Sequence, residues 1–142
     1  MAGDLEFVDT NVHVYAADLE AGVKRTQALA LITRLWNEQV GATSLQVLHE
    51  LQNVLSRKVR RPLSPQDALE RVEPLGAWAL HRPDVTDLRQ VVTLQTKHKL
   101  SFWDAMIVNS ALELGCTILW SEDLQTGRQF GTLTIRNPFS AD

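Results

Sequence analysis

Four acids stand out by their placement: Asp9, Glu50, Asp104 and Asp123. Asp9 closes the run LEFV, and Asp123 follows TILWS within two residues; both runs read as short buried strands. Glu50 sits on the flank of an apolar helical face made by Val47, Leu48, Leu51, Val54 and Leu55. Asp104 shares its stripe with Ile107, Val108 and Ala111, so it is expected on the core side of its helix, poorly solvated. Each acid has an ordinary explanation when taken alone. Glu50 can pair with Arg57 on its own stripe, and Asp104 can complete a capping box with Ser101. Four acids meeting at one edge need another explanation. Carboxylates sharing a cleft repel one another, and without a cation some take up protons. A divalent cation removes the conflict, and an oxygen-only donor set favours Mg²⁺ or Mn²⁺ over zinc. A metal held this way orients a water, lowers its pKa and offsets charge as a phosphodiester is hydrolysed.

The elements that would bring these acids together follow from periodicity and punctuation. Short strands are expected at 4–8, 41–44, 78–82, 116–121 and 131–139. Between them the pattern predicts helices at 10–17 (capped by Thr10 or Asn11), 22–39, 45–60 (capped near Thr43 or Ser44), 64–77, 84–98 and 101–114. Ser64-Pro65 supplies a cap and a first helical residue, and Gly115 supplies a C-terminal stop. Strands alternating with helices indicate an α/β domain with a parallel sheet. In such sheets ligands gather beyond the carboxyl ends of the strands. Asp9 and Asp123 end strands there, and Glu50 and Asp104 lie near helix starts that open at the same rim.

Composition restricts the alternatives. The 142 residues suit one domain with a real core, spanning 1–142, with no repeat or linker. No apolar run approaches the roughly 20 residues needed to cross a bilayer, so no membrane partner is expected. MAGDLEFVD lacks the basic and apolar segments of a secretory signal, and the lone Cys116, in GCTILW, suits a reducing cytoplasm as a buried, inert thiol. His13, His49, His81 and His98 are scattered, and no HExxH or paired Cys/His set is present. The net charge of −3 exerts no general pull on nucleic acid, but SRKVRR concentrates Arg57, Lys58, Arg60 and Arg61. A basic helix end is the plain explanation for Lys58 and Arg60. Arg57 lies on the Glu50 stripe and Arg61 four residues beyond it, so these two are the candidate contacts to a substrate's phosphate backbone.

Asp9 in VDTN, Glu50 in LQVLHELQNVL, Asp104 in SFWDAMI and Asp123 in ILWSEDLQTG together resemble the acidic quartet of PIN-domain nucleases. The likeness is strongest to VapC-type toxins of toxin–antitoxin modules; it covers essentially the whole chain and includes the ending SEDLQTGRQFGTLTIRNPF. The resemblance implies a three-layer α/β/α fold around a five-stranded parallel sheet. It also implies a Mg²⁺- or Mn²⁺-dependent endoribonuclease, a homodimer and a cognate antitoxin that blocks the site. Asp9, Glu50, Asp104 and Asp123 carry over as catalytic and metal-binding acids, with Thr10 or Asn11 and Ser121 as polar helpers. Glu122 should face away from Asp123 by strand alternation. A dimer or antitoxin contact is expected on helices 22–39 and 45–60. A haloacid-dehalogenase-type phosphatase would need a second acid where Asn11 stands, and a receiver domain would need paired acids and a late lysine. The non-enzyme alternative is a silent PIN-like binding or scaffold module, which usually lacks one or more of the acids.

Overall fold

The computed structural model describes residues 3–140; the expected domain limits at 1 and 142 lie outside them. Among the described residues five strands run parallel: β1 (Glu6–Val8), β2 (Gly41–Ser44), β3 (Ala79–His81), β4 (Ile118–Trp120) and β6 (Leu133–Arg136). A two-residue strand, β5 (Gln129–Phe130), adds antiparallel to β6, and the order is β3-β2-β1-β4-β6-β5. The expected parallel sheet is present, and β5 is the addition that its two residues kept from view. β1 lies at the centre, paired on one side with β2 and on the other with β4.

Side-chain alternation along β1 divides the core into two layers. Phe7 faces a cluster with Val91, Val108, Leu119 and Ile135, beneath α5 (Asp87–His98) and α6 (Phe102–Glu113). Val8 faces the opposite cluster with Val12, Leu35, Leu51 and Trp78. That second layer is made by α1 (Thr10–Ala17), α2 (Val23–Glu38), α3 (Leu45–Arg57) and α4 (Pro65–Val72). The result is the three-layer α/β/α arrangement, with β1 buried on both faces.

The helix ends show what the sequence pattern could and could not fix. Ser44 and Ser64 cap α3 and α4 as expected. Gly115, at φ 73°, ends the last turn after α6, where Cys116 N–H reaches the Ala111 carbonyl at 3.0 Å. The cap of α1 is Asp9 itself and not Thr10 or Asn11: its carboxylate accepts from the Thr10 amide. Three expected helices are shorter, one of them because α5 begins at Asp87 and not at 84. The third helix stops at Arg57 and not at 60, because the chain folds back and Leu63 N–H takes the Leu55 carbonyl at 2.9 Å, the acceptor that residue 59 would have used. The fourth stops at Val72 and tightens into a 3₁₀ turn over Glu73–Ala77, where Pro74 has no amide to continue the α pattern.

Candidate active site

The parallel register of the sheet aligns Val8 with Trp120, so the next residues, Asp9 and Ser121, emerge side by side. The Asp9 amide extends the ladder to the Trp120 carbonyl at 2.9 Å. Ser121 is fully buried and donates its hydroxyl to Asp9 Oδ2 at 2.9 Å. The Ser121 hydroxyl oxygen also accepts the Asp123 and Leu124 amides, each at 3.2 Å. One hydroxyl therefore orients the Asp9 carboxylate and shapes the turn that carries Asp123.

The other acids close around this pair. Asp123 Oδ2 accepts from Asn11 Nδ2 at 2.6 Å, which ties the turn to the first turn of α1. Glu50 accepts from Thr10 Oγ1 at 2.9 Å and from Gln46 Nε2 at 2.9 Å. Asp104 follows Ser101, whose hydroxyl caps α6 by accepting the Asp104 amide at 3.1 Å. The half of the capping box that satisfies the helix is thus present. Asp104 is only partly buried, and its neighbour Trp103 is exposed, so the expectation of a poorly solvated Asp104 does not hold.

Electrostatics link the four in a chain. Burial pushes the Asp9 carboxyl up to about 6; bonds from Ser121 and the Thr10 amide oppose that rise, and the charges of Asp123 and Glu50 add to it. Asp123 is also raised, first by its loss of solvent and then by the charges of Asp104 and Glu122. The coupling runs from Glu50 through Asp9 and Asp123 to Asp104. Among the described residues no Lys or Arg forms an ion pair with any of the four. Glu50 does not pair with Arg57; its carboxylate is held by Thr10 and Gln46.

This donor set suits a hard cation. Asp9 accepts two hydrogen bonds, which leaves lone pairs free on a carboxylate with about four. Among the described residues no group of three or more His, Cys, Asp and Glu side chains is gathered closely enough to hold a metal ion by itself. Mg²⁺ and Mn²⁺ do not require such a group: Mg²⁺ in particular is commonly held by one or two carboxylates, waters and substrate phosphate oxygens. The cluster is an open oxygen rim and not a structural metal site.

Glu122 faces away from the rim as expected, though not by strand alternation: β4 ends at Trp120 and Glu122 lies in the bend that follows. It accepts from Tyr15 Oη at 2.7 Å and pairs with Lys24, clamping the Asp123 turn to α1 and α2. Sequence reasoning missed this clamp, since nothing local marks Tyr15 or Lys24 as its partners. The Gln46–Glu50 bond was legible as an i, i+4 pair. Arg57 is exposed at the end of α3, two helical turns beyond Glu50. Arg61 does not follow the Glu50 stripe, because the helix has ended before it; with Arg60 it faces Glu20, each at 3.3 Å. His13 is buried against Trp78, and His81 bonds Ser110 at 2.7 Å, so both serve the structure. Cys116 is buried, and loss of solvent pushes its thiol up to about 12, which leaves it inert.

The profile of the PIN domain family matches residues 7–128, from β1 through the Asp123 turn. The chain belongs to the PIN-domain family. Solved structures share the PIN fold. VapC20 of Mycobacterium tuberculosis, described as a sarcin-ricin-loop-cleaving toxin, aligns with TM-score 0.64 at 19% identity over 83% of this chain and 89% of its own. A toxin–antitoxin complex from Klebsiella pneumoniae aligns with TM-score 0.68 at 19% identity, covering 94% and 98%. VapBC2 of Rickettsia felis, bound to a promoter DNA fragment, aligns with TM-score 0.67 at 20% identity, covering 94% and 98%. No curated protein matches the chain significantly by sequence. At these identities the structural likeness establishes the PIN fold.

Proposed function

We propose that this PIN domain, taken as one unit over residues 1–142, is a metal-dependent endoribonuclease that acts as the toxin of a toxin–antitoxin pair. One observation carries the reading: the charges of Glu50, Asp9, Asp123 and Asp104, from separate elements, act on one another in sequence, and among the described residues no Lys or Arg forms an ion pair with any of them. Asp9, Glu50, Asp104 and Asp123 would hold Mg²⁺ or Mn²⁺ there. When bound, the ion supplies an acidified water and neutralises charge on the phosphate undergoing hydrolysis. Asp9, held from both sides by Thr10 N–H and Ser121 Oγ, supplies the fixed carboxylate. Asn11 holds Asp123 in place, and Thr10 holds Glu50. These bonds keep the acids oriented despite their mutual repulsion, so no reorganisation is needed when substrate arrives.

The toxin reading is supported by the structural neighbours, which are toxin and toxin–antitoxin assemblies. An apolar groove of about 200 Å³ between α1, α2, α3 and α4 would present Ala17, Leu29, Ile32 and Trp36 to an antitoxin segment, over a floor of buried Leu51 and Leu55. A second copy is placed in this proposal against α5, where Leu88 and Val92 on the helix and Val85 just before it are exposed. Arg57 and Arg61 remain the RNA-flanking cations of the proposal. The Arg61–Glu20 pair is exposed and weak enough to exchange for phosphate. Among the described residues no helix is long and apolar enough to cross a membrane; action in the cytoplasm is part of the proposal.

Controlled expression with RNA profiling tests this function. The proposal expects discrete new RNA ends that appear on induction, map to one sequence or structure, and disappear when the neighbouring antitoxin gene is co-expressed. Unchanged RNA profiles on induction of folded protein would overturn it.

A further inference from the structure

An indole lies open beside the acids. Trp103 is 62% exposed, although tryptophan normally buries most of its surface, and it directly precedes Asp104 in the first turn of α6. Phe102 meets it edge-on, with ring centroids 5.0 Å apart and planes at 82°. Around it runs a groove of about 550 Å³ between the start of α3, the segment after β3 and the start of α6, lined by Trp103, Met106, Pro83, His49, Gln46 and Glu50. Glu50 belongs both to this groove and to the acidic rim, where it is bonded to Thr10. The groove is therefore continuous with the site at two points: through Glu50, and through the peptide bond joining Trp103 to Asp104.

That continuity selects the occupant. A molecule seated in the groove and reaching the acids must present a flat apolar face within one covalent step of a phosphate. An unpaired nucleobase of an RNA strand does this, because each base is tethered to the phosphates on either side of its ribose. Aromatic side chains are the usual platforms for unpaired bases, and stacking tolerates any base because every base has a π face. Met106 and Pro83 extend the apolar floor, while the exposed His49 gives the groove a polar edge that a purely apolar docking surface would lack.

We propose that Trp103 is a nucleobase platform, which stacks an unpaired base next to the phosphodiester held at the acidic rim. This rests on the ribonuclease reading above. The indole binds and positions substrate, and the acids do the chemistry.

The test measures binding of two labelled strands to the catalytically silenced Asp9→Asn protein in Mn²⁺. One strand is a short single-stranded RNA; the other has the same sugar–phosphate backbone without bases. Trp103→Ala, added to this parent, should bind the RNA about five- to a hundred-fold more weakly, the range found when a stacking aromatic is truncated. It should bind the abasic strand as the parent does, and Trp103→Phe should restore most of the RNA affinity. Equal binding of the RNA by parent and Trp103→Ala overturns the platform while leaving the ribonuclease reading intact. So does an equal loss on both strands, which would assign the indole to support of the acids. A dimer that becomes monomeric only in Trp103→Ala, with RNA affinity unchanged, assigns the indole to a protein contact and also overturns it. If the parent binds neither strand, the ribonuclease reading fails and the platform with it.

Discussion

Ser121 Oγ lies 2.9 Å from Asp9 Oδ2, and this bond joins the ends of two neighbouring parallel strands at the centre of the acidic rim. The same oxygen accepts the amides of Asp123 and Leu124. Ser121→Ala removes all three interactions, made by a hydroxyl that is itself fully buried. Supporting bonds to metal-binding carboxylates typically contribute ten- to a hundred-fold. Cleavage by the variant should fall by about that factor, and unfolding in urea should show a loss of about 1–3 kcal/mol from the unsatisfied groups. Wild-type rate and stability together would remove Ser121 from the site.

Glu122 and Asp123 are adjacent acids with opposite orientations. Asp123 faces Asn11 at the rim, whereas Glu122 faces Tyr15 and Lys24. Asp123→Asn should therefore lower cleavage by at least an order of magnitude. Glu122→Gln should keep most of it, since the amide can still accept from Tyr15. Steady-state rates of the two variants decide the assignment, and a more severe loss in Glu122→Gln would reverse it.

Gly41 begins β2 beneath the Trp78 ring, and a Cβ there would lie 2.5–2.7 Å from three indole carbons. Trp78 is buried and contacts both His13 and Trp36, which restrict its movement away from Gly41. Gly41→Ala is expected to cost about 1–3 kcal/mol by overpacking. Chemical denaturation measures this directly. Trp78→Leu in the same chain should recover part of the loss, because it removes the clashing ring.

Acid should destabilise the fold through His13. Burial holds its imidazole down to about 4, against an ordinary value of 6.5. Between those values the unfolded chain binds a proton that the folded chain excludes, so stability falls as pH drops from about 6.5 to 4, by up to ~3 kcal/mol. Asp9 acts in the opposite sense: its carboxyl is raised to about 6, so stability falls as pH rises from about 4 to 6. His13→Leu should flatten the first trend and leave the second. Unfolding free energies from pH 4 to 7 for both proteins provide the measurement, and superimposable curves would contradict the assignment.

The sheet and the positions of the four acids along its elements were readable from the sequence because their signals are local. The run LEFVD ends a strand with an acid, ILWSED does the same, and 3.6-residue periodicity places Glu50 and Asp104 near helix starts. What was not readable depends on contacts distant in sequence. The end of α3 is set by Leu63 returning to Leu55, which removes Arg61 from the wheel on which it was expected. Helical spacing alone put too much apolar surface around Asp104, beside which Trp103 is exposed. The Glu122 clamp joins residues about a hundred apart, and the two-residue β5 is too short for any period to reveal.

The central claim is that Asp9 anchors a divalent ion needed to cut RNA. Its most direct test is the initial rate of RNA cleavage as Mn²⁺ is titrated into wild type and Asp9→Asn, each first stripped with EDTA. The account predicts no wild-type cleavage in EDTA and a rate that rises to saturation with Mn²⁺. It predicts an Asp9→Asn protein that is folded, more stable at neutral pH by about 1–3 kcal/mol because a buried charge is gone, and slower by at least about a thousand-fold at every Mn²⁺ concentration. Full cleavage by wild type in EDTA, or an Asp9→Asn titration that superimposes on the wild type, would contradict it.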